Sequence, residues 1–213
     1  MPFPLAVFLV YHCFNILMQS AQLMVLRACK LRVEHVQLFY GKPVAAVDMG
    51  STRVVLGWFP MGSYIRQDPT QFASLPTPAR VALILLGPVI LLGVALSLLG
   101  PEETLHHFVT GFRQFVEGIL HPQSVGYALF GKLHALYVQS PAAMAGVISA
   151  KGAAWALLPI GTAGAPVLKE IFSPDVRPRE GVDGLISMGM MVYMLAILMW
   201  LGIFVVYAVN HWA

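Results

Sequence analysis

The chain has 213 residues, 58% of them hydrophobic and only 11% charged, with a mean hydropathy of +0.74. That balance excludes an ordinary water-soluble domain. The net charge of +3 and the pI near 9.0 come from 13 Lys and Arg scattered without any basic run, so they point to membrane orientation and away from nucleic acid.

Residues 4–26, 81–99, 141–160 and 185–209 are apolar enough to cross a bilayer. A hydrocarbon core of about 30 Å takes roughly 20 residues of helix, and a crossing segment must satisfy its own backbone there. The expected fold is an α-helical integral membrane protein: one domain over 1–213 with four transmembrane helices. The first segment lacks a basic leader and a small-residue cleavage site, so it is read as a retained helix. Cys13 and Cys29, on or beside it, are read as packing residues that say little about redox compartment.

Seven basic residues, Arg27, Lys30, Arg32, Lys42, Arg53, Arg66 and Arg80, lie between the first two apolar segments. The next connection holds only Arg113 and Lys132, and the third holds Lys169, Arg177 and Arg179. The positive-inside rule then places the first and third loops in the cytoplasm and both termini outside. Tyr207, His211 and Trp212 suit an interfacial anchor on the outer face.

Within the first loop, residues 33–40, 44–48 and 53–59 are rich in β-branched and aromatic side chains and are punctuated by Gly41, Lys42, Pro43, Gly50 and Ser51. They predict a small cytoplasm-facing, membrane-associated antiparallel sheet over about 33–67. In the second loop, Leu105, Phe108, Val109, Phe112, Phe115, Val116 and Ile119 recur at helical spacing, which predicts an amphipathic helix on the membrane surface over about 102–120. The third span is expected to end at the cluster Pro159, Gly161, Gly164, Pro166.

Several local segments, in order, resemble the site-2 protease family of intramembrane zinc metalloproteases. Residues 31–41, LRVEHVQLFYG, resemble the family's VRVEEFSLGFG run, and residues 59–67, FPMGSYIRQ, its IPLGGYVKM. Gly87 and Pro88 match AGP in the second span, residues 124–128, SVGYA, match GPVGIA, and residues 157–160, LLPI, open NLLPIPxLDGG. Residues 174–191 resemble the tail that leads into the last helix.

The departures fall on the chemistry. The family's HExxH aligns with Met18, Gln19, Ser20, Ala21 and Gln22, and its third ligand, the aspartate of LDG, with Gly164. In that motif two imidazoles one turn apart bind Zn²⁺ and the glutamate activates water. Methionine and glutamine replace the imidazoles poorly, and Gln19 has no carboxylate to take a proton. The family's second-span asparagine aligns with Leu91 and that of NLLP with Ala156, and no insertion long enough for a PDZ domain follows Gly100. His12, His35, His106, His107, His121, His134 and His211 show no ligand spacing and are read as interfacial or hydrogen-bonded. The resemblance therefore implies a pseudoprotease, with no catalytic residue, metal or cofactor, in a bacterial inner (cytoplasmic) membrane.

What such a scaffold retains is a way to hold other chains. The resemblance implies that a partner helix, partly unwound, adds to an edge of the sheet, a mode that depends little on sequence. Val33, Phe59, Gly62 and Tyr64 are the candidate partner-holding residues there. Lys151 is the other, because a lysine inside an apolar segment must face protein, a cavity or the interface. None of the four segments contains Asp or Glu, so its counter-charge is sought in backbone, water, lipid or another subunit. Met188, Met190, Met191, Met194 and Met199 beside Gly189 and Gly202 form an adaptable last helix, for a partner or for lipid.

The expected function is a noncatalytic subunit that binds or scaffolds integral membrane proteins in a hetero-oligomeric complex. The alternatives are lipid or small-molecule binding in the vacated active-site cavity, with Lys151 as the anionic-headgroup contact, and residual proteolysis.

Overall fold

The computed structural model describes residues 1–172 and 180–211, without the side chains of residues 59–61, 180, 182 and 183. Arg177, Arg179, Trp212 and the part 174–179 of the tail expected over 174–191 lie outside these residues. The described chain is mostly helical, with a small β-sheet. It forms two compact units, residues 1–10 with 88–213 and residues 11–87, the division falling within two of the long helices.

Three helices are long and apolar enough to cross a membrane: α1 (Phe3–Ala28), α3 (Thr77–Leu99) and α8 (Glu180–Asn210) over its stretch Gly184–Asn210. They correspond to the first, second and fourth expected spans. In the third expected span, 141–160, the structure has α6 (Pro141–Ala156), only 16 residues long. Ser140 caps its start, accepting from the Ala143 N–H at 3.2 Å, and Pro141 fits the first turn, where no N–H is needed. Residues 157–160 continue the apolar run, but there the chain leaves the helix: Ala163 N–H donates to Ala156 O at 2.9 Å and Gly161 N–H to Leu158 O at 2.7 Å. Hydrophobicity alone does not separate a helical turn from these turns.

In the unit 11–87, α1 ends in a Schellman motif. Leu31 N–H donates to Leu26 O and Lys30 N–H to Arg27 O, both at 2.9 Å. Lys30 takes the left-handed conformation, φ 58°, usually given to glycine. Leu26 and Leu31, which flank this turn, are buried with Val33, Val36 and Leu83 beneath the sheet.

The strands β1 (Val33–Met49) and β2 (Thr52–Gln67) form an antiparallel hairpin about Gly50 and Ser51. Its pairing runs from Met49↔Thr52 to Ala45↔Leu56 and resumes from Leu38↔Ser63 to Val33↔Gln67. Val36 and Leu38 also pair with Val54 and Leu56, so this part of β1 has β2 on both sides. A hairpin does this by doubling over, and the bend falls at Phe39 (φ 64°), Gly41 (φ 94°) and Gly62 (φ 68°). At the crossing a Cβ on Gly57 would overlap the Phe39 and Tyr40 carbonyl oxygens, so only glycine fits. Thr52, buried at the far turn, donates to Val33 O at 2.8 Å and ties the fold-back down. The short α2 (Pro69–Ala73) follows, capped by Asp68.

In the other unit, α4 (Pro101–Leu120), a π-helical turn at Pro122–Gly126, α5 (Tyr127–Gln139), α6 and α7 (Gly164–Phe172) pack with α8. α6 is lined by small residues, with Gly146, Ser149, Ala150, Ala153 and Ala154 buried, which lets neighbouring helices approach closely. Ser149 donates to Leu91 O of α3 at 2.7 Å. α8 turns Tyr193, Ala196, Trp200, Ile203 and Tyr207 inward at heptad-like spacing and leaves Met188, Met191, Met194, Leu195 and Leu198 exposed.

Two expectations about side-chain direction change. Tyr207 is buried against Phe3, Tyr127 and His134, so its ring serves the interior and not an outer interfacial belt. On α4, Leu105, Val109 and Val116 of the expected apolar stripe are exposed, with Leu120 beside them, but Phe115 of that stripe is buried, with Thr104, Gly111 and Gly118.

Candidate functional site

The face of α1 that carries the aligned motif packs, within the unit 11–87, against the bend of the sheet and against α3. The His12 ring meets Phe39 edge-on at 4.7 Å between centroids. Asn15 donates to Tyr11 O at 3.0 Å and accepts from the Ser63 hydroxyl at 3.2 Å, and Gly62 N–H points to the Tyr11 hydroxyl at 3.5 Å. Met18 reaches toward Gly87, where an added Cβ would lie 3.6 Å from its sulfur. Gln19 Oε1 is buried without a hydrogen-bond partner, and Gln22 is half-buried. The surface so formed is neutral, built of thioether, amide and aromatic groups.

Next to it lie the sheet candidates. Val33 is 2% exposed and belongs to the core under the sheet, so its side chain supports the strand and is not offered to a partner. Gly62 is held under the Tyr40 ring, which any Cβ there would overlap. Tyr64 is exposed and stacks between His35 and Tyr40, at 5.7 and 6.3 Å. Burial, then the nearby phenols of Tyr11 and Tyr64, push the Tyr40 hydroxyl above its ordinary pKa. Phe59 pairs with Tyr40 through its backbone, and its side chain lies outside the described residues. Among the described residues, Ser63 to Gln67 of β2 pair with a strand on one side only, so the other side is an open edge.

In the other unit, the position aligned with the third ligand is closed. A Cβ on Gly164 would overlap the Leu158 carbonyl oxygen and come within 2.7 Å of that of Leu157. Gly161 is similarly confined, at 2.5 and 2.6 Å from the carbonyl oxygens of Trp155 and Ala156. The tight turn after α6 accepts glycine at both places and leaves no room for an aspartate.

Lys151 is half-buried in the seam between α6 and α4. An added Cβ on Gly111 of α4 would be 3.3 Å from its Cα and 3.5 Å from its Cγ, and Trp155, one turn on, donates to Gly111 O at 3.1 Å. Lys151 makes no hydrogen bond or ion pair among the described residues. α4 also carries Thr104, His107 and Gln114. Thr104 Oγ1 and Gln114 Oε1 are buried and lack hydrogen-bond partners. His107 Nε2 is 3.5 Å from Glu103, and burial followed by the Lys151 charge holds its imidazole below the ordinary histidine pKa. The spacing 104, 107, 111, 114, 118 was the available signal, a polar and small-residue stripe beside the more conspicuous apolar one.

Three other histidines are engaged locally. His35 bonds Gln37 at 3.0 Å, His134 Nδ1 bonds the Tyr207 hydroxyl at 3.0 Å, and His211 stacks on Tyr207 at 4.2 Å. Among the described residues no group of three or more His, Cys, Asp or Glu could hold a metal ion. The chain matches no family model and no curated protein.

Proposed function

We propose that this is a noncatalytic membrane protein of site-2-protease type that holds other integral membrane proteins as a subunit of a larger complex. The open edge of β2 from Ser63 to Gln67 carries this reading. Its backbone donors and acceptors are available to an extended segment, and Tyr11 and Asn15 of α1 flank its start. The neutral surface of Met18, Gln19 and Gln22 beside it suits an apolar partner helix better than hydrolysis, since no imidazole pair or carboxylate stands ready to bind metal or activate water. In this reading α6 completes a four-helix membrane domain in a bacterial inner membrane, with the sheet on the cytoplasmic side and both termini outside.

A photo-crosslinking residue at Tyr64, compared in intact membranes with one at the exposed Val138 of α5, tests the proposal. A discrete crosslink to another integral membrane protein from position 64, competed by its purified membrane segment, is expected. Equal crosslinking from both positions, or none from position 64, contradicts it.

A further inference from the structure

We propose that Gln19 and Gln22 of α1 form an amide ladder that binds bare peptide groups of a partner's membrane segment, held out of helical form beside the edge Ser63–Gln67. This deepens the reading above and rests on it: the edge holds the segment, and the amides satisfy backbone that the edge leaves unpaired.

The need follows from the strand itself. In an added strand successive residues turn their N–H and C=O groups to opposite sides, so an edge pairs only every second residue. In water the other groups are hydrated, but within an apolar span they are costly to leave bare. α1 is long and apolar enough to cross a membrane, yet His12, Asn15, Gln19 and Gln22 recur at i, i+3, i+7 and i+10, which places them on one side of the helix. Polar side chains in such a helix point to function.

The stripe meets the edge at its first residue. Asn15 Oδ1 accepts from the Ser63 hydroxyl at 3.2 Å, and its NH₂ donates to Tyr11 O at 3.0 Å. From Ser63 the strand runs to Gln67, whose pairing partner Val33 is buried with Leu26 of α1, so the edge begins level with Asn15 and ends near the level of Leu26. Gln19 and Gln22 lie between these levels, on the side of the helix that Asn15 presents to the sheet. They are about 4.5 Å apart along the helix axis, against about 6.7 Å for two residues of extended chain, a difference that three-torsion side chains span.

Asn15 is used by the fold, but Gln19 is not. Its Oε1 is buried and has no hydrogen-bond partner among the described residues. Buried polar atoms are rarely left so. A primary amide carries both a donor and an acceptor, as a peptide group does, and therefore pairs with backbone without reading side chains; a carboxylate there would only accept. Being neutral, it brings no charge to bury when the segment arrives.

The test uses the full chain in lipid nanodiscs, a photo-crosslinking residue at Tyr64 and two synthetic Leu/Ala membrane-spanning peptides, one with a central Gly-Pro break and one unbroken. The broken peptide should crosslink saturably, and the unbroken one at least fivefold less. Gln19→Met and Gln22→Met, which keep the bulk and remove the amide, should each weaken the apparent affinity for the broken peptide at least threefold, and Gln19→Asn should lose less than Gln19→Met. Without peptide, Gln19→Met should not lower Tm, because the oxygen removed has no partner to lose. If Gln19→Met yields no folded protein, Gln22→Met and Gln19→Asn carry the test. Unchanged affinity in the variants, equal crosslinking of both peptides, or a loss of affinity matched by a lower Tm without peptide overturns the ladder and leaves the edge reading standing. No crosslink of either peptide above that from Val138 overturns the edge reading and the ladder with it.

Discussion

The Leu158 carbonyl oxygen occupies the space in which a side chain on Gly164 would begin. The backbone there thus excludes an aspartate, and introducing one would not create a ligand. Gly164→Asp should lower stability by at least about 2 kcal/mol, because the turn must open to admit any Cβ. Thermal unfolding in detergent measures this. A neutral Gly164→Asp would show that the turn is loose enough to hold a ligand after all.

Lys30 adopts φ 58° at the end of α1, a conformation that costs a side-chain-bearing residue about 1–2 kcal/mol. Lys30→Gly should therefore stabilise the unit that contains it, by up to about 1 kcal/mol once the greater freedom of the unfolded glycine is subtracted. A lowered melting temperature would mean that the lysine makes a compensating contact there.

The seven-to-two excess of Lys and Arg in the first loop over the second sets the expected topology. In a background with Cys13 and Cys29 replaced by serine, single cysteines at Ser51 and Gln123 should react with a membrane-impermeant reagent from opposite sides. Ser51 should react from the cytoplasmic side. Reaction of both from one side would sink the proposed arrangement, in which α3 crosses the membrane between them.

His107 gives a pH dependence with a definite sign. Burial, the Lys151 charge and His106 depress its pKa below 6.5, while Glu103 opposes them. Between that depressed value and 6.5 the unfolded chain binds the proton more readily, so stability is present above 6.5 and falls as pH drops through the window. The melting temperature should decline from about pH 7 to about pH 5, and His107→Gln should make the decline shallower. An identical profile in the variant would remove His107 from the account.

Much of the fold was legible because long apolar runs admit few structures. α1, α3 and α8 match three expected spans, and β1, β2 and α4 fall where alternation and helical spacing placed them. The end of α6 was not legible: Leu157, Leu158 and Ile160 are as apolar as the helix before them, and only the turn hydrogen bonds distinguish them. Nor was the doubling-over of the hairpin, which depends on a positive φ at Phe39, a residue type that gives no such signal. For the candidate site, Lys151 stood out by its charge in an apolar segment. The polar and small residues Thr104, Gly111 and Gly118 did not, because on α4 the conspicuous apolar stripe is exposed and the inconspicuous one is buried.

The claim that this scaffold has given up hydrolysis is tested most directly by the zinc content of the purified full-length chain. Elemental analysis after mild detergent extraction should give far less than one zinc per chain, with no change in thermal stability on adding a chelator. One zinc per chain, lost to a chelator together with stability or peptide hydrolysis, would contradict the noncatalytic reading and show that residues other than Met18, Gln22 and Gly164 supply the ligands.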